Sequence, residues 1–299
     1  MGYLCCKCCK RKYRKRKVPR LLKHTYYKHI ATIPMNHELT RWMQSALQIA
    51  KEAGDKIMTI YASEFAVTHK DDDTPLTEAD MAAHDCIEAG LQALTPDLPI
   101  LSEESASIPF SERSQWQTYW LVDPLDGTRE FIKRNGEFTV NIALIDNHEP
   151  VIGVIYAPVL EVFYFACRGT GAFKQDHGAE PIAISTRTKH DKVVLIAGSR
   201  SHSGDSLNRM LDNIGEHKIV SMGSSLKSCL VAEGKVDVYP RLGPTSEWDT
   251  AAAQCIVEEA GGVVTMTDMQ PLRYNTKKSL LNPHFFVSGD PDFDWSQYL

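Results

Sequence analysis

No run in this sequence approaches the eighteen or so consecutive apolar residues of a membrane-spanning helix, so no segment crosses a bilayer as a helix. Internal repeats are missing, and low complexity is confined to the basic head, which excludes collagen, coiled coil and disorder as descriptions of the whole chain. Beyond that head the cysteines are few. Cys86, Cys167, Cys229 and Cys255 lie scattered in apolar stretches, which speaks for reduced, buried thiols of a cytosolic protein and against a disulfide framework. Acidic residues are absent from residues 1–34, where 11 of the 33 Lys and Arg fall. From Met35 on, 22 basic residues face all 38 Asp and Glu, a net of −16. So acidic a body argues against a nucleic-acid surface. What remains is a chain of 299 residues, 43% hydrophobic and 24% charged, able to bury one large core or two modest ones.

The first 34 residues do not read as the start of a folded domain. No apolar stretch follows the basic run, so a secretory signal does not fit. Cys5, Cys6, Cys8 and Cys9 beside seven basic residues within 10–17 could be acylated and lie on an anionic membrane. Gly2 invites myristoylation, but Cys6 breaks the usual pattern. A metal finger lacks its second ligand pair. The plainest reading takes Met35 as the functional start and residues 1–34 as an extension, disordered or not native.

From Leu39, apolar residues recur at helical spacing and predict a helix to about residue 61. The Asp-rich stretch 67–75 reads as a loop or hairpin. Thr77 and Asp80 form a capping-box pattern that opens a helix to about residue 94, before Pro96. Short strands over 100–101 and 119–122 each run into acids. Strands over 139–145, 151–156 and 162–166 suggest an antiparallel meander, closed by a tight turn at Gly169 and Gly171. After about residue 181 strand and helix alternate: strands over 193–197, 218–221, 236–239 and 263–266, and helices over 206–214, 225–232 and 248–260. The expected fold is α+β, two sheets layered with helices, with one domain over 35–180 and a second over 181–299 that completes the site.

The chemistry is concentrated in acids at element boundaries. In the stretch LVDPLDGTR (121–129), a strand delivers Asp123, Pro124 fixes a turn, and Asp126 follows. Two carboxylates across a turn can converge on hard cations, with the amides of Gly127 and Thr128 facing a phosphate oxygen. An ordinary Asx-turn is the competing account. Glu103 and Glu104 end an apolar strand, so at least one must face the interior or a cleft. Asp80 and Asp249 have structural explanations as helix-capping residues. Together, Asp80, Glu103, Asp123, Asp126 and Asp249 form an oxygen-only set without His or Cys. That favours Mg²⁺ or Mn²⁺ over Zn²⁺ and suits metal-assisted hydrolysis of a phosphate ester.

The motifs LSEES (101–105), DPLDGTREF (123–131) and WDTAAAQCIVEEAGG (248–262) resemble those of the lithium-sensitive, Mg²⁺-dependent phosphatases typified by inositol monophosphatase. Within that family the stretches EFIKRNGEFTVNIALI (130–145), MGSSLKSCLVAEGKVDVYPR (222–241) and LNPHFFVSG (281–289) are most similar to the bacterial 3'(2'),5'-bisphosphate nucleotidases. The resemblance covers about residues 37–290 and implies a layered α-β-α-β-α sandwich. It implies two or three Mg²⁺ ions, replaceable by Mn²⁺. Glu103, Asp123 and the Leu125 carbonyl would hold one, and Asp123, Asp126 and Asp249 the second. Thr128 would position the attacking water, with Asp80 either accepting the hydrogen bond of its hydroxyl or contributing to a further metal site, and with Glu104 standing behind the ligands or orienting metal-bound water.

For substrate, the resemblance implies removal of the 3'-phosphate of adenosine 3',5'-bisphosphate, a by-product of sulfate activation, with its sulfated form as a second substrate. Glu103, Leu125, Asp126, Gly127, Thr128 and Asp249 would contact the scissile phosphate. Gly223, Ser224, Ser225, Lys227 and Arg241 would take the other phosphate. Lys227 could equally be a solvated helix lysine. Glu247 would be an unfriendly neighbour to a phosphate unless it points away, and sequence gives it no role. The alternatives are an inositol monophosphatase or fructose 1,6-bisphosphatase activity, and, from a different class, a noncatalytic nucleotide-binding protein. Location is expected to be cytoplasmic, with peripheral attachment to the inner membrane depending on residues 1–34. Monomer and homodimer stay open.

Overall fold

Helix α1 (His37–Tyr61) forms as its periodicity predicts, and Met43, Ala46, Ile49, Ala50, Ala53 and Ile57 make its buried stripe. The computed structural model describes residues 37–299 except 65, 70–74, 189–191 and 199–203, so the expectations for residues 1–34 lie outside the described residues. Asn36–Leu299 is one compact unit. The expected loop or hairpin is a hairpin, β1 (Val67–His69) antiparallel to β2 (Pro75–Thr77). Helix α2 (Glu78–Leu94) starts on a true capping box: the Asp80 carboxylate accepts from the Thr77 N–H at 2.7 Å, and the Thr77 hydroxyl receives the Ala79 N–H.

The chain then lays down β3 (Ile100–Ser102), a 3-10 turn at Glu103–Ser105, the single-turn helix α3 (Phe110–Arg113), β4 (Thr118–Asp126) and the short α4 (Thr128–Ile132). Next come β5 (Thr139–Asp146), β6 (Glu149–Ala157), β7 (Val162–Cys167), β8 (Gly171–Asp176) and β9 (Ile182–Ile184). These form a seven-stranded sheet in sequence order, β3 parallel to β4 and the rest antiparallel, so the expected meander is present and extends further than the sequence suggested. Strand β4 also outruns its predicted end at residue 122. It continues through Pro124, and its register with β5 shifts between Asp123 and Asp126. A proline without an N–H is tolerated at such an irregularity, and the shift re-aims the two acids.

The second sheet uses β10 (Val194–Gly198), β11 (His217–Ser221), β12 (Val238–Arg241), β13 (Val263–Met266) and β14 (Phe285–Ser288), in the order β11-β10-β12-β14-β13. Between them run α5 (Asp205–Ile214), α6 (Leu226–Ala232), a 3-10 turn at Glu247–Asp249 and α7 (Ala251–Glu259). Period-two alternation sorts the side chains into layers. Trp120 and Val122 of β4 pack under α1 and α2, whereas Tyr119 and Leu121 join the core of α6 and α7. Phe285 and Val287 of β14 close that core from the other sheet, while Phe286 faces Met210 of α5 and Trp295. The result is five layers, α-β-α-β-α. No helix among the described residues is long and apolar enough to cross a membrane.

Candidate active site

Three carboxylates meet where β4 ends and α7 begins. Oxygen atoms of Asp123, Asp126 and Asp249 all lie within 4.8 Å of one another. Each is aimed by its own short-range bonds. Asp123 is buried and accepts the Leu125 N–H at 3.1 Å, which folds the strand end around it. Asp126 accepts the Ser225 N–H and hydroxyl, both at 2.6 Å, and Asn141 Nδ2 at 3.3 Å. Asp249 accepts the Ser246 N–H at 2.9 Å. Sequence placed Asp249 as the cap that opens a helix over 248–260. Ser246 caps the 3-10 turn Glu247–Asp249 with Asp249 as the far member of its capping box, and α7 starts only at Ala251, with Thr250 as its cap.

Burial pushes the Asp123 carboxyl well above its ordinary value, and the charges of Glu103, Asp126 and Asp249 add to the effect. Asp249 is raised to about 7 by burial and then by Asp126. Acids packed this closely resist joint ionisation until a cation joins them. With oxygen donors only, the set fits a hard divalent ion. Glu103 heads the 3-10 turn after β3, whose Ser102 pairs with Val122, so its charge reaches Asp123. Glu104, its neighbour, is half-buried and outside the tight group.

Beside the acids, Gly127 adopts a left-handed conformation (φ 96°) that turns β4 into α4, and Glu137 O and Phe138 crowd the space a Cβ would fill. Thr128 then opens α4. Its hydroxyl donates to Asp80 Oδ1 at 3.1 Å, with the Leu125 carbonyl 3.4 Å away as a second acceptor. The other Asp80 oxygen accepts both the Thr77 N–H and hydroxyl at 2.7 Å, so the capping box and the Thr128 contact occupy one carboxylate.

From the acids a cleft runs along α6, lined by Asp126, Gly127, Gly223, Ser224, Ser225, Lys227, Arg241 and Asp249. Lys227 is not a solvated helix lysine. It is 7% exposed, its ammonium lies 5.4 Å from the Tyr239 ring centre and donates to the Ser224 carbonyl at 2.6 Å, and burial lowers its pKa. Ser224 takes a positive φ of 44°. Its hydroxyl and the Nε of Arg241 are buried with no hydrogen-bond partner among the described residues. Glu247 is fully buried and does not line the cleft.

Sequence reasoning passed over Asn141, Glu130, Tyr239 and Phe285. Asn141 ties Asp126 to Ser225, donating to the Ser225 hydroxyl at 2.8 Å, and the other three line the cleft. An asparagine inside the apolar run VNIALI was the available signal for the first, since a buried amide needs partners. The aromatic residues carried none.

A model of the inositol monophosphatase family matches residues 38–288. The 3'(2'),5'-bisphosphate nucleotidase CysQ of Salmonella typhimurium is 51% identical over 248 residues, covering 82% of this chain and 99% of that protein. The protein of the same description from Haemophilus influenzae is 41% identical over 254 residues, covering 85% and 94%. Among solved structures, CysQ from Bacteroides thetaiotaomicron, described as a bacterial member of the inositol monophosphatase family, superposes with a TM-score of 0.73 at 42% identity, covering 83% of this chain and 97% of that one.

Proposed function

The chain belongs to the inositol monophosphatase family, and from that membership we propose that it is a metal-dependent 3'(2'),5'-bisphosphate nucleotidase that converts adenosine 3',5'-bisphosphate and water to AMP and phosphate. The carrying observation is the three-carboxylate centre beside a cleft that Ser224, Lys227 and Arg241 also line. One end suits cations and the phosphate to be cleaved, the other a second phosphate. The sulfated form of the nucleotide carries the same 3'-phosphate and is a second substrate. Removal of a by-product of sulfate activation is the corresponding role.

Glu103, Asp123, Asp126, Asp249 and the Leu125 carbonyl would hold Mg²⁺, with Mn²⁺ as a substitute. When bound, such ions lower the pKa of a nucleophilic water and stabilise charge on the leaving ribose oxygen. The chain's own contribution is orientation and proton placement. With its proton committed to Asp80, the Thr128 oxygen is left as an acceptor that orients a water beside the phosphate. The N–H groups of Gly127 and Thr128, at the start of α4, would face the phosphoryl oxygens. Ser225 keeps Asp126 from rotating, so the acid that belongs to the metal centre also fixes the loop that receives the nucleotide.

Phosphate release from adenosine 3',5'-bisphosphate and from inositol 1-phosphate, each with Mg²⁺ and with EDTA, tests the assignment. Mg²⁺-dependent release from the nucleotide in preference to the inositol ester is expected. Preference for the inositol ester would discard the Ser224–Lys227–Arg241 subsite. The reaction is assigned to the cytoplasm, where the paired cysteines and basic run of residues 1–34 would add attachment to anionic lipid. That attachment rests on sequence alone, and co-sedimentation of the full chain with anionic vesicles tests it.

A further inference from the structure

Glu247 is buried two residues from Asp249 yet points away from the cleft, so its charge serves something other than substrate. Its carboxylate accepts the Asn275 N–H at 2.8 Å and pairs with Lys277 Nζ at 3.2 Å. The same segment is tied to the same turn at every level. Glu247 N–H donates to the Leu280 carbonyl at 2.9 Å, Asn282 Nδ2 donates to the Ser246 carbonyl at 2.7 Å and to Thr250 Oγ1 at 3.1 Å, and the Tyr274 hydroxyl reaches Thr250 at 3.2 Å. Arg113 locks the strap from behind: its guanidinium donates to Asn275 Oδ1 and to the carbonyls of Lys277 and Lys278, and Asn275 Nδ2 returns a bond to the Arg113 carbonyl. An isolated 3-10 turn of three residues has little stiffness of its own. Here residues 274–282 form a strap across it, and the Glu247 side chain reaches into the strap.

We propose that Glu247 is a positioning residue: by clamping the 274–282 strap onto the Glu247–Asp249 turn it fixes the Asp249 carboxylate and thereby sets the affinity for the divalent cation held there. The burial of an ion pair adds little net stability and is retained where it fixes one arrangement. Groups behind a metal's own ligands are worth roughly 10–100-fold in affinity. The inference rests on the metal assignment of Asp249, so the test carries both. Mn²⁺ binding to the substrate-free full chain is followed by electron paramagnetic resonance for the parent, E247A, E247Q, K278A and D249N. E247A is expected to bind at least about tenfold more weakly. E247Q keeps an acceptor for the Asn275 N–H and recovers most of the affinity, and K278A, whose part is a backbone carbonyl, matches the parent. Parent-like affinity in E247A alongside loss in D249N overturns the positioning role. Parent-like affinity in D249N overturns the metal assignment beneath it. Should E247A not fold, N282A replaces it, since it cuts the strap from Ser246 and Thr250 and leaves Glu247 in place. The same loss is expected, and parent-like binding there also overturns the proposal.

Discussion

Asp123 is the acid common to both proposed ion sites, and it is 1% exposed. Asp123→Asn keeps the shape and removes the charge. It is expected to lower kcat/KM by on the order of 10²–10³-fold or more, in line with losing one preorganised electrostatic partner. The cation-free protein should meanwhile unfold at a temperature equal to or above the parent's, because one repelling acid is gone. Steady-state kinetics and a thermal melt in EDTA separate the two effects. Asp249 makes a pH prediction. Its folded pKa is raised from 3.8 to about 7, so the folded, cation-free protein holds this proton more tightly than the unfolded chain. The stability it contributes is fully present below the ordinary value and is lost as pH rises through about 7. Melts of the EDTA-treated protein across that range should show a decline with rising pH that Asp249→Asn flattens. The spacing of Asp123 and Asp126 in one nonapeptide offered a converging pair with an Asx-turn as the competing account, and the part of Thr128 came from the family resemblance alone. Lys227 was ambiguous for a physical reason: whether a lysine on a short helix is solvated or buried depends on Tyr239, which arrives on a different strand.

Among the elements, α7 lies so close to the seven-stranded sheet that only a residue without a side chain fits at Gly153 of β6. A Cβ there would collide with the Ala252 carbonyl and press on Cys255 Cβ at 3.0 Å. Gly153→Ala is expected to destabilise by about 1–3 kcal/mol or more through overpacking, read as a lower urea midpoint with an unchanged slope. Because α7 follows directly on the turn that bears Asp249, the same variant should weaken Mg²⁺ activation, measured as a higher half-saturating concentration. Helices α1 and α2 and the meander of β5, β6 and β7 were readable beforehand since period and turn chemistry act locally. The run of β4 through Pro124 was not, because its continuation is decided by pairing with β5 and a shift in register. Nor was the place of β14, which inserts antiparallel between β12 and β13 in a sheet whose other pairs are parallel, a choice made by contacts distant in sequence. Strand β12 begins two residues later than predicted, at Val238.

At the scale of the whole molecule, a body with a net of −16 from Met35 on brings three of its carboxylates within 4.8 Å of one another beside the cleft. A divalent cation that binds only the folded state should therefore stabilise it as a unit. At a hundredfold excess over its Kd the gain is about 2.7 kcal/mol. For a chain of this size that corresponds to a Tm rise of roughly 5–10 °C. Differential scanning with Mg²⁺ against EDTA is expected to show that rise in the parent and to lose most of it in Asp123→Asn. A Tm insensitive to Mg²⁺ would contradict a cation site of this composition.

The three acids of the centre are drawn from distant parts of the chain, two from β4 and one from the turn before α7. A polypeptide leaving the ribosome carries Asp123 and Asp126 for more than a hundred residues of synthesis before Asp249 exists, and the strap that seats Asp249 is made later still. Competence to hydrolyse is thus the last property the nascent enzyme acquires. A translation product that stops short of Asp249 would hold Asp123 and Asp126 without their partner, and one that stops between there and Asn282 would carry Asp249 without the contacts that seat it.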